Sequence, residues 1–320
     1  MRTEKRHTTP NILIRFAQLL GTELVNGKLE VPEKFGKGYC VGYVFNEYIR
    51  MTISNYELNE DLAVKNPETD ASKRMIFFKF QNILPKKETL LDTKQSESMP
   101  SVLIATSRIY TDDIISIHTN TSTINIEIDA NYLNGIFDAS EQSPVLHSLL
   151  QNTQPLLFEE MIYSSIQEVV DEIIMESVDE RFKLFFLRIK AEELICRLLI
   201  ELEKREEKRL YPLNTHDILT LYKVKEKILE HLETPPGIKD LASYANMSPT
   251  KLKRLFKQVF GNSIFNYYQG FRMKEAAHLL KEEKLPVSEV GYSLGFTNLS
   301  HFSRTFEQHI GMKPKKYSLS

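Results

Sequence analysis

The chain has 320 residues, 42% of them apolar, and a formal net charge of −2. That length accommodates two domains, and the apolar fraction is that of a folded soluble chain, which excludes a low-complexity or membrane-buried protein. The near-neutral total hides an asymmetry: residues 211–320 carry an excess of Lys and Arg and residues 1–210 an excess of Asp and Glu, so the two ends are expected to meet different partners.

The N-terminus, Met1 to Arg6, is polar. The apolar run from Ile12 to Leu20 is short and broken by Arg15 and Gln18, which fits neither a secretory signal nor a membrane span. Cys40 and Cys196 lie far apart and without partners at metal-ligand spacing, so no disulfide framework is expected and the expected compartment is the reducing cytoplasm.

From Tyr39 to about Phe137 short runs rich in β-branched and aromatic residues alternate with polar turns: Tyr39–Phe45, Tyr48–Tyr56, Met75–Phe80, Val102–Ile109, Ile114–His118 and the strictly alternating Ile124–Ile128. Strands that meander without intervening helices predict an antiparallel sandwich or small barrel over residues 1–140. Nothing in this half points to catalysis. Its histidines, His7, His118 and His147, do not cluster as a metal site requires, its cysteines form no activated-thiol site, and no phosphate-binding loop or nucleophile elbow occurs. No catalytic residue, metal or cofactor is therefore expected. Aromatics such as Tyr39, Tyr43, Phe45 and Phe78 suit either a core or a ligand pocket, and no binding residues follow from them.

Residues 141–212 read as helical. One run holds Phe158, Met161, Ile162, Ile166, Val169, Val170 and Ile173, and a second runs from Phe185 to Leu202 before the charged stretch Glu201–Arg209. Two roles stay open for this region, packing on the barrel or a homodimer contact. Tyr211-Pro212-Leu213-Asn214 marks a break into a third segment, residues 213–320.

That last segment contains one pattern twice. Ile238, Leu241, Ala245 and Met247 pair with Val287, Val290, Leu294 and Phe296 at an offset of 49, and Leu252, Phe256 and Gly261 pair with Phe302, Phe306 and Gly311 at 50. Each copy is a short helix, a tight turn and a second helix opened by a capping residue: Ser248 before Pro249 in the first, and Thr297 in the second. Two short amphipathic helices at such a turn form a helix-turn-helix, whose second helix enters the major groove of DNA.

In the first copy Leu252, Leu255, Phe256 and Val259 make an apolar stripe, leaving Thr250, Lys251, Lys253, Arg254 and Lys257 outward. In the second, Phe302, Phe306 and Ile310 point inward and Asn298, Ser300, His301, Ser303, Arg304 and Thr305 outward. Cationic and short hydrogen-bonding side chains suit phosphates and base edges. The roughly 20 residues between the copies, as a helix about 30 Å long, approach the ~34 Å between successive major grooves on one side of DNA.

Residues 213–320 resemble the DNA-binding domain of the AraC/XylS family of bacterial transcription regulators. The resemblance rests on Gly295-Phe296, Ser300-His301-Phe302-Ser303-Arg304-Thr305-Phe306, Gly311, Pro314 and Tyr317, and the run Met247–Phe256 is most similar to the subgroup of the pyochelin-receptor regulator. Asn246 stands where the family commonly has glycine, and asparagine tolerates the left-handed conformation that the turn needs. The resemblance implies a cupin-like effector-binding barrel in the first half and base-reading positions at Thr250, Lys253 and Arg254, then Leu299, Ser300, His301 and Arg304. It also implies a cytoplasmic activator that works with RNA polymerase on promoter DNA. The rival is an architectural protein binding nucleic acid without sequence preference. Lysine-dominated faces with apolar wedges would mark that rival, whereas Thr250, Asn298, Ser300 and His301 suit base readout.

Overall fold

A computed structural model describes residues 9–60, 62–65, 74–83, 100–107, 114–117, 120–136, 142–162 and 164–319, with backbone alone for 62–65, 114–117 and 120. His7, His118 and the end of the Val102–Ile109 run lie outside the described residues. The chain divides into two compact units, Met1–Leu213 and Asn214–Ser320.

In the first unit α1 (Asn11–Leu20) precedes β1 (Lys28–Glu30), β2 (Gly36–Val44), β3 (Ile49–Leu58), β4 (Leu62–Lys65), β5 (Met75–Gln81), β6 (Ser101–Thr106), β7 (Ile114–Ile117) and β8 (Asn120–Asp129). Then come α2 (Ala130–Asn134), α3 (Pro144–Gln151), β9 (Leu157–Met161), α4 (Ser164–Met175) and α5 (Glu180–Glu203). Seven strands form one antiparallel sheet in the order β1-β2-β3-β8-β5-β6-β9, and β4 pairs with β7 in a second. The expected antiparallel β unit followed by helices is what forms.

Strand periodicity sorts the sheet's two faces. One cross-strand row reads Tyr43, Met51, Ile126, Phe78, Ile104 and Phe158, each directly opposite the next. From Met51 onward this row is buried, in one core with Leu149, Val170, Leu194 and Leu198 of the helices. The opposite face, at its β2 end, holds Cys40, Tyr56 and Leu58 and is covered by α1, whose Leu13, Phe16, Ala17 and Leu20 recur at helical spacing and are buried there. Burial pushes the Cys40 thiol up to about 12, against a weak opposing hydrogen bond to Ser54 Oγ at 3.4 Å.

The sequence left one apolar run of this unit unassigned and misassigned part of another. The interrupted run Ile12–Leu20 is an amphipathic helix, with Arg15 and Gln18 on its outer side. Phe158 and Met161 do not belong to a helix; they lie in β9, paired with β6 from Ser101↔Met161 to Ala105↔Leu157. Two apolar residues three apart fit a helix, but backbone pairing to a strand distant in sequence overrides that local signal. A short strap fixes this edge, because Thr106 Oγ1 donates to Gln154 O at 2.9 Å and accepts from Leu156 N at 2.9 Å.

Helix α5 is apolar on two sides. Leu187, Ala191, Leu194, Leu198 and Leu202 enter the core, while Phe182, Phe185, Ile189 and Ile200 stay exposed.

The second unit is all helical: α6 (Thr215–Leu229), α7 (Ile238–Tyr244), α8 (Pro249–Phe260), α9 (Ile264–Lys281), α10 (Val287–Ser293), α11 (Leu299–Ile310) and α12 (Pro314–Tyr317). At 1.5 Å per residue α9 is about 27 Å long. Tyr268, Met273, Ala276 and Leu280 are buried along it, which makes it the shared support of both helix pairs. Phe265, in its first turn, is 58% exposed.

Candidate nucleic-acid interface

The sequence repeat becomes two helix pairs of matching geometry. In the first, α7 and α8 meet at Asn246, whose φ is 49°, and in the second α10 and α11 meet at Gly295, whose φ is 77°. These are equivalent positions of the repeat, and both adopt the left-handed conformation that asparagine and glycine tolerate. The second turn needs glycine for another reason: a Cβ there would sit 2.0 Å from Glu233 O.

Capping fixes where each second helix begins. Ser248 Oγ accepts from Lys251 N at 3.2 Å, and Pro249 takes the first helical position. In α11 the cap is Asn298 rather than the expected Thr297: Asn298 Oδ1 accepts from Ser300 N at 2.9 Å and His301 N at 3.1 Å. The one-residue insertion in the second turn moves the cap one position along, and asparagine caps as well as a hydroxyl does. Gly261 and Gly311, both left-handed, close α8 and α11.

Each second helix buries one stripe. Leu252, Leu255, Phe256 and Val259 of α8 are inside, as are Phe302 and Phe306 of α11. On α8, Thr250, Lys253, Arg254 and Lys257 are exposed together on the opposite side. On α11, Ser300, His301 and Arg304 are exposed, and Arg304 Nε donates to Ser300 O at 3.4 Å. Thr305, expected outward, is 8% exposed, and its hydroxyl donates to His301 O at 3.0 Å. It lies next to Phe306 on the inner stripe, and bonding back to the helix satisfies a buried hydroxyl. Leu299 is half-buried with its side chain over Gly291, where a Cβ would come within 2.7 Å of Leu299 Cδ2. That contact turns Leu299 towards α10.

Two supporting residues, Asp217 and Arg272, carry no readable signal in the sequence. Lys251 is tied down: its Nζ lies 2.8 Å from Oδ1 of the buried Asp217 in the first turn of α6. Asn214 Oδ1 accepts from Asp217 N at 2.6 Å and Asn214 Nδ2 donates to Asp217 Oδ2 at 3.3 Å, so α6's cap and α8 share one carboxylate. Arg272 of α9 is 5% exposed; its guanidinium donates to Leu294 O in the second turn and to Gln269 Oε1 at 3.0 Å, and lies 4.0 Å from the Phe296 ring centroid. Burial lowers its pKa from the ordinary arginine value. Arg272 thus fastens the second turn to the supporting helix, and its charge is spent inside the fold rather than on a phosphate.

The two outward faces differ in charge. At equivalent positions Arg254 matches Arg304, but Lys257 matches Glu307. A lysine at the end of α8 adds attraction for a phosphate backbone, and a glutamate at the end of α11 removes it.

A family model described as a helix-turn-helix domain matches residues 241–319, which spans both turns and both second helices. The second unit is similar to the DNA-binding domain of AraC-type regulators. The multiple antibiotic resistance protein MarA of Escherichia coli is 28% identical over 104 residues, 32% of this chain and 82% of MarA. An HTH-type transcriptional regulator of Bacillus subtilis, YfiF, is 28% identical over 183 residues, 56% of this chain and 54% of YfiF. That match is longer than the second unit and so reaches into the first. A solved AraC-type regulator from Chromobacterium violaceum is 28% identical, covering 33% of this chain and 95% of that one with a TM-score of 0.31. With a helix-turn-helix domain of this type the chain is a DNA-binding transcriptional regulator, and the exposed sides of α8 and α11 are the outer faces of its two helix-turn-helix motifs.

Proposed function

We propose that the protein binds specific promoter sequences through both α8 and α11, activates transcription with RNA polymerase, and does so in response to a small molecule held by the first unit. One observation carries the sequence-specific part: Thr250, Lys253 and Arg254 on α8, and Ser300, His301 and Arg304 on α11, are exposed while the opposite stripe of each helix is buried. An arginine fork can hold the O6 and N7 edge of guanine, and hydroxyls and imidazole serve other base edges. Asn298 keeps its amide for DNA, its oxygen being the cap, and Lys257 meets the backbone where α8 leaves the groove. Leu299 and Lys251 contribute by positioning rather than by reading. Activation and the RNA polymerase partner come from the family. The segments 1–140 for sensing, 141–212 for dimer contact and 213–320 for DNA binding divide this labour.

The dimer partner is a second copy meeting the exposed side of α5. Phe182, Phe185 and Ile189 recur there at three- and four-residue spacing. The helix is net cationic in its first half, where Arg181, Lys183, Arg188 and Lys190 outnumber Glu180, and net acidic in its second, where Glu192, Glu193, Glu201 and Glu203 outnumber Arg197. An antiparallel pair therefore places opposite charges together across a self-complementary contact. Sedimentation of the full chain should show a dimer that Phe185→Glu dissociates; a wild-type monomer at micromolar concentration removes this partner.

No described helix is long and apolar enough to cross a membrane. The cytoplasm is the compartment in which such a regulator meets DNA. The specificity reading is tested by competition between a selected duplex and its scrambled sequence. Equal affinity for both makes the protein an architectural binder instead.

A further inference from the structure

The helical layer over the sheet stops short of one edge. Tyr39, Val41 and Tyr43 of β2 lie on the same face as the buried Met51 and Ile53, since Tyr43 is opposite Met51 and Val41 opposite Ile53. Yet all three are only half-buried, because α4 and α5 cover the centre of the sheet and leave its β1–β2 end open. The result is a cleft of about 900 Å³ between β1–β2, the segment after α1, the end of α4 and the start of α5.

Its floor is apolar, made by Val41 and Ile53 of the sheet and by Ile173 and Ile174 of α4, and Tyr39 and Tyr43 stand beside it. Burial raises the Tyr43 phenol above its ordinary pKa, so it remains a neutral hydroxyl. Both lysines of the wall already have carboxylate partners: Lys28 Nζ lies 2.8 Å from Glu30 Oε1, and Lys183 Nζ lies 2.8 Å from Glu180 Oε1. Glu23 and Glu176 also line the cleft, and the ion pairs of the described residues give neither an opposite charge. The Tyr39 ring shows how an ammonium is received here, with Lys28 Nζ 5.1 Å from its centroid. An occupant therefore meets apolar and aromatic surface below and the carboxylates of Glu23 and Glu176, which no ion pair of the described residues neutralises.

We propose that this cleft is a binding site for a cationic amphiphile, an aliphatic or aryl body carrying a protonated amine, with Glu23 and Glu176 receiving the ammonium and Tyr43 flanking the body. That this ligand is the effector rests on the sensing role given above to the first unit.

The test uses the full chain and three probes of one shape: 2-phenylethylammonium, 2-phenylethanol and phenylacetate. Calorimetric titration should show saturable binding of the amine alone, weakening as salt is added, as expected for attraction to solvent-exposed carboxylates. Glu23→Gln with Glu176→Gln should weaken the amine about fivefold, while Glu176→Asp in the otherwise unaltered chain should largely retain binding. Both positions are exposed, so the folded state is expected to survive, and an unchanged unfolding curve checks that. Equal binding of the alcohol, preferred binding of phenylacetate, or no binding of the amine and its longer homologues each overturns the proposal. Duplex affinity measured with and without the amine separates the two readings. An amine that binds but leaves DNA affinity unchanged upholds the cleft and defeats its sensing role, because linkage requires the two ligands to affect each other equally. An anionic or neutral metabolite that changes DNA affinity while the amine fails to bind upholds sensing and defeats the cleft chemistry.

Discussion

Lys251 offers the clearest separation between holding a recognition helix and touching DNA. Its Nζ lies 2.8 Å from Asp217 Oδ1, with the lysine side chain 41% exposed and the aspartate 9%. Replacing Lys251 with methionine leaves the carboxylate mostly out of water, although Asn214 Nδ2 still lies 3.3 Å from Asp217 Oδ2. Exposed pairs contribute about 0.2–1 kcal/mol, and breaking a fully buried pair costs about 3–5 kcal/mol. A pair with one buried partner and one retained donor falls between, so the expected loss is about 1–3 kcal/mol. Asp217→Asn should cost a similar amount, and the double variant should be little worse than either single one, because both break the same interaction. Scanning calorimetry of the full chain reads this from the transition that duplex DNA raises, which belongs to the second unit. On DNA, Lys251→Met should leave the slope of log affinity against log salt unchanged, whereas Lys257→Ala should lower it by about one unit. Additive stability losses in the double variant, or a slope that falls by about one unit in Lys251→Met, would refute the tether.

Arg254→Ala should cost about 1–3 kcal/mol on the preferred site and relax the choice at one base pair; binding curves on preferred and scrambled duplexes read this, and a uniform loss with preference intact assigns Arg254 to phosphate. Gly295→Ala combines a left-handed residue with a Cβ 2.0 Å from Glu233 O, so it should destabilise the second unit by at least about 3 kcal/mol, while Asn246→Gly at the equivalent turn changes stability by less than about 1 kcal/mol. Thermal unfolding of both variants checks the contrast. With its pKa pushed up to about 12 by burial, Cys40 remains a protonated, covered thiol at mildly alkaline pH, whereas Cys196 is exposed. A thiol reagent should therefore modify Cys196 rapidly and Cys40 only on unfolding.

The sequence was most legible where periodicity and turn chemistry agreed. The offsets of 49 and 50 located both helix pairs, and Asn246 was readable as a left-handed turn residue because its side chain suits that conformation. The alternating run Ile124–Ile128 marked the strand at the sheet's centre, between β3 and β5. Signals failed where the deciding partner lies far along the chain. β9 owes its extended form to β6, and no local pattern in Leu157–Met161 reports that pairing. Asp217 and Arg272 look like ordinary charged helix residues until their partners Lys251 and Leu294 are seen 34 and 22 residues away. Thr305 was misplaced because a threonine that bonds its own helix backbone can turn inward, which polarity alone does not reveal. The cleft was illegible for the same reason: Tyr39 and Glu176 come together only when α4 stops beside β2.

The central claim is that one chain reads DNA sequence with two helices, α8 and α11, carried on one supporting helix. Hydroxyl-radical footprinting on a duplex selected from a random pool, for the wild type and for Arg254→Ala and Arg304→Ala, tests it most directly. The account predicts a discrete site with two protected segments about one helical turn apart on one side of the duplex, and each variant should relax base preference in a different segment. Uniform protection with no selected sequence, or a single segment affected alike by both variants, would contradict it.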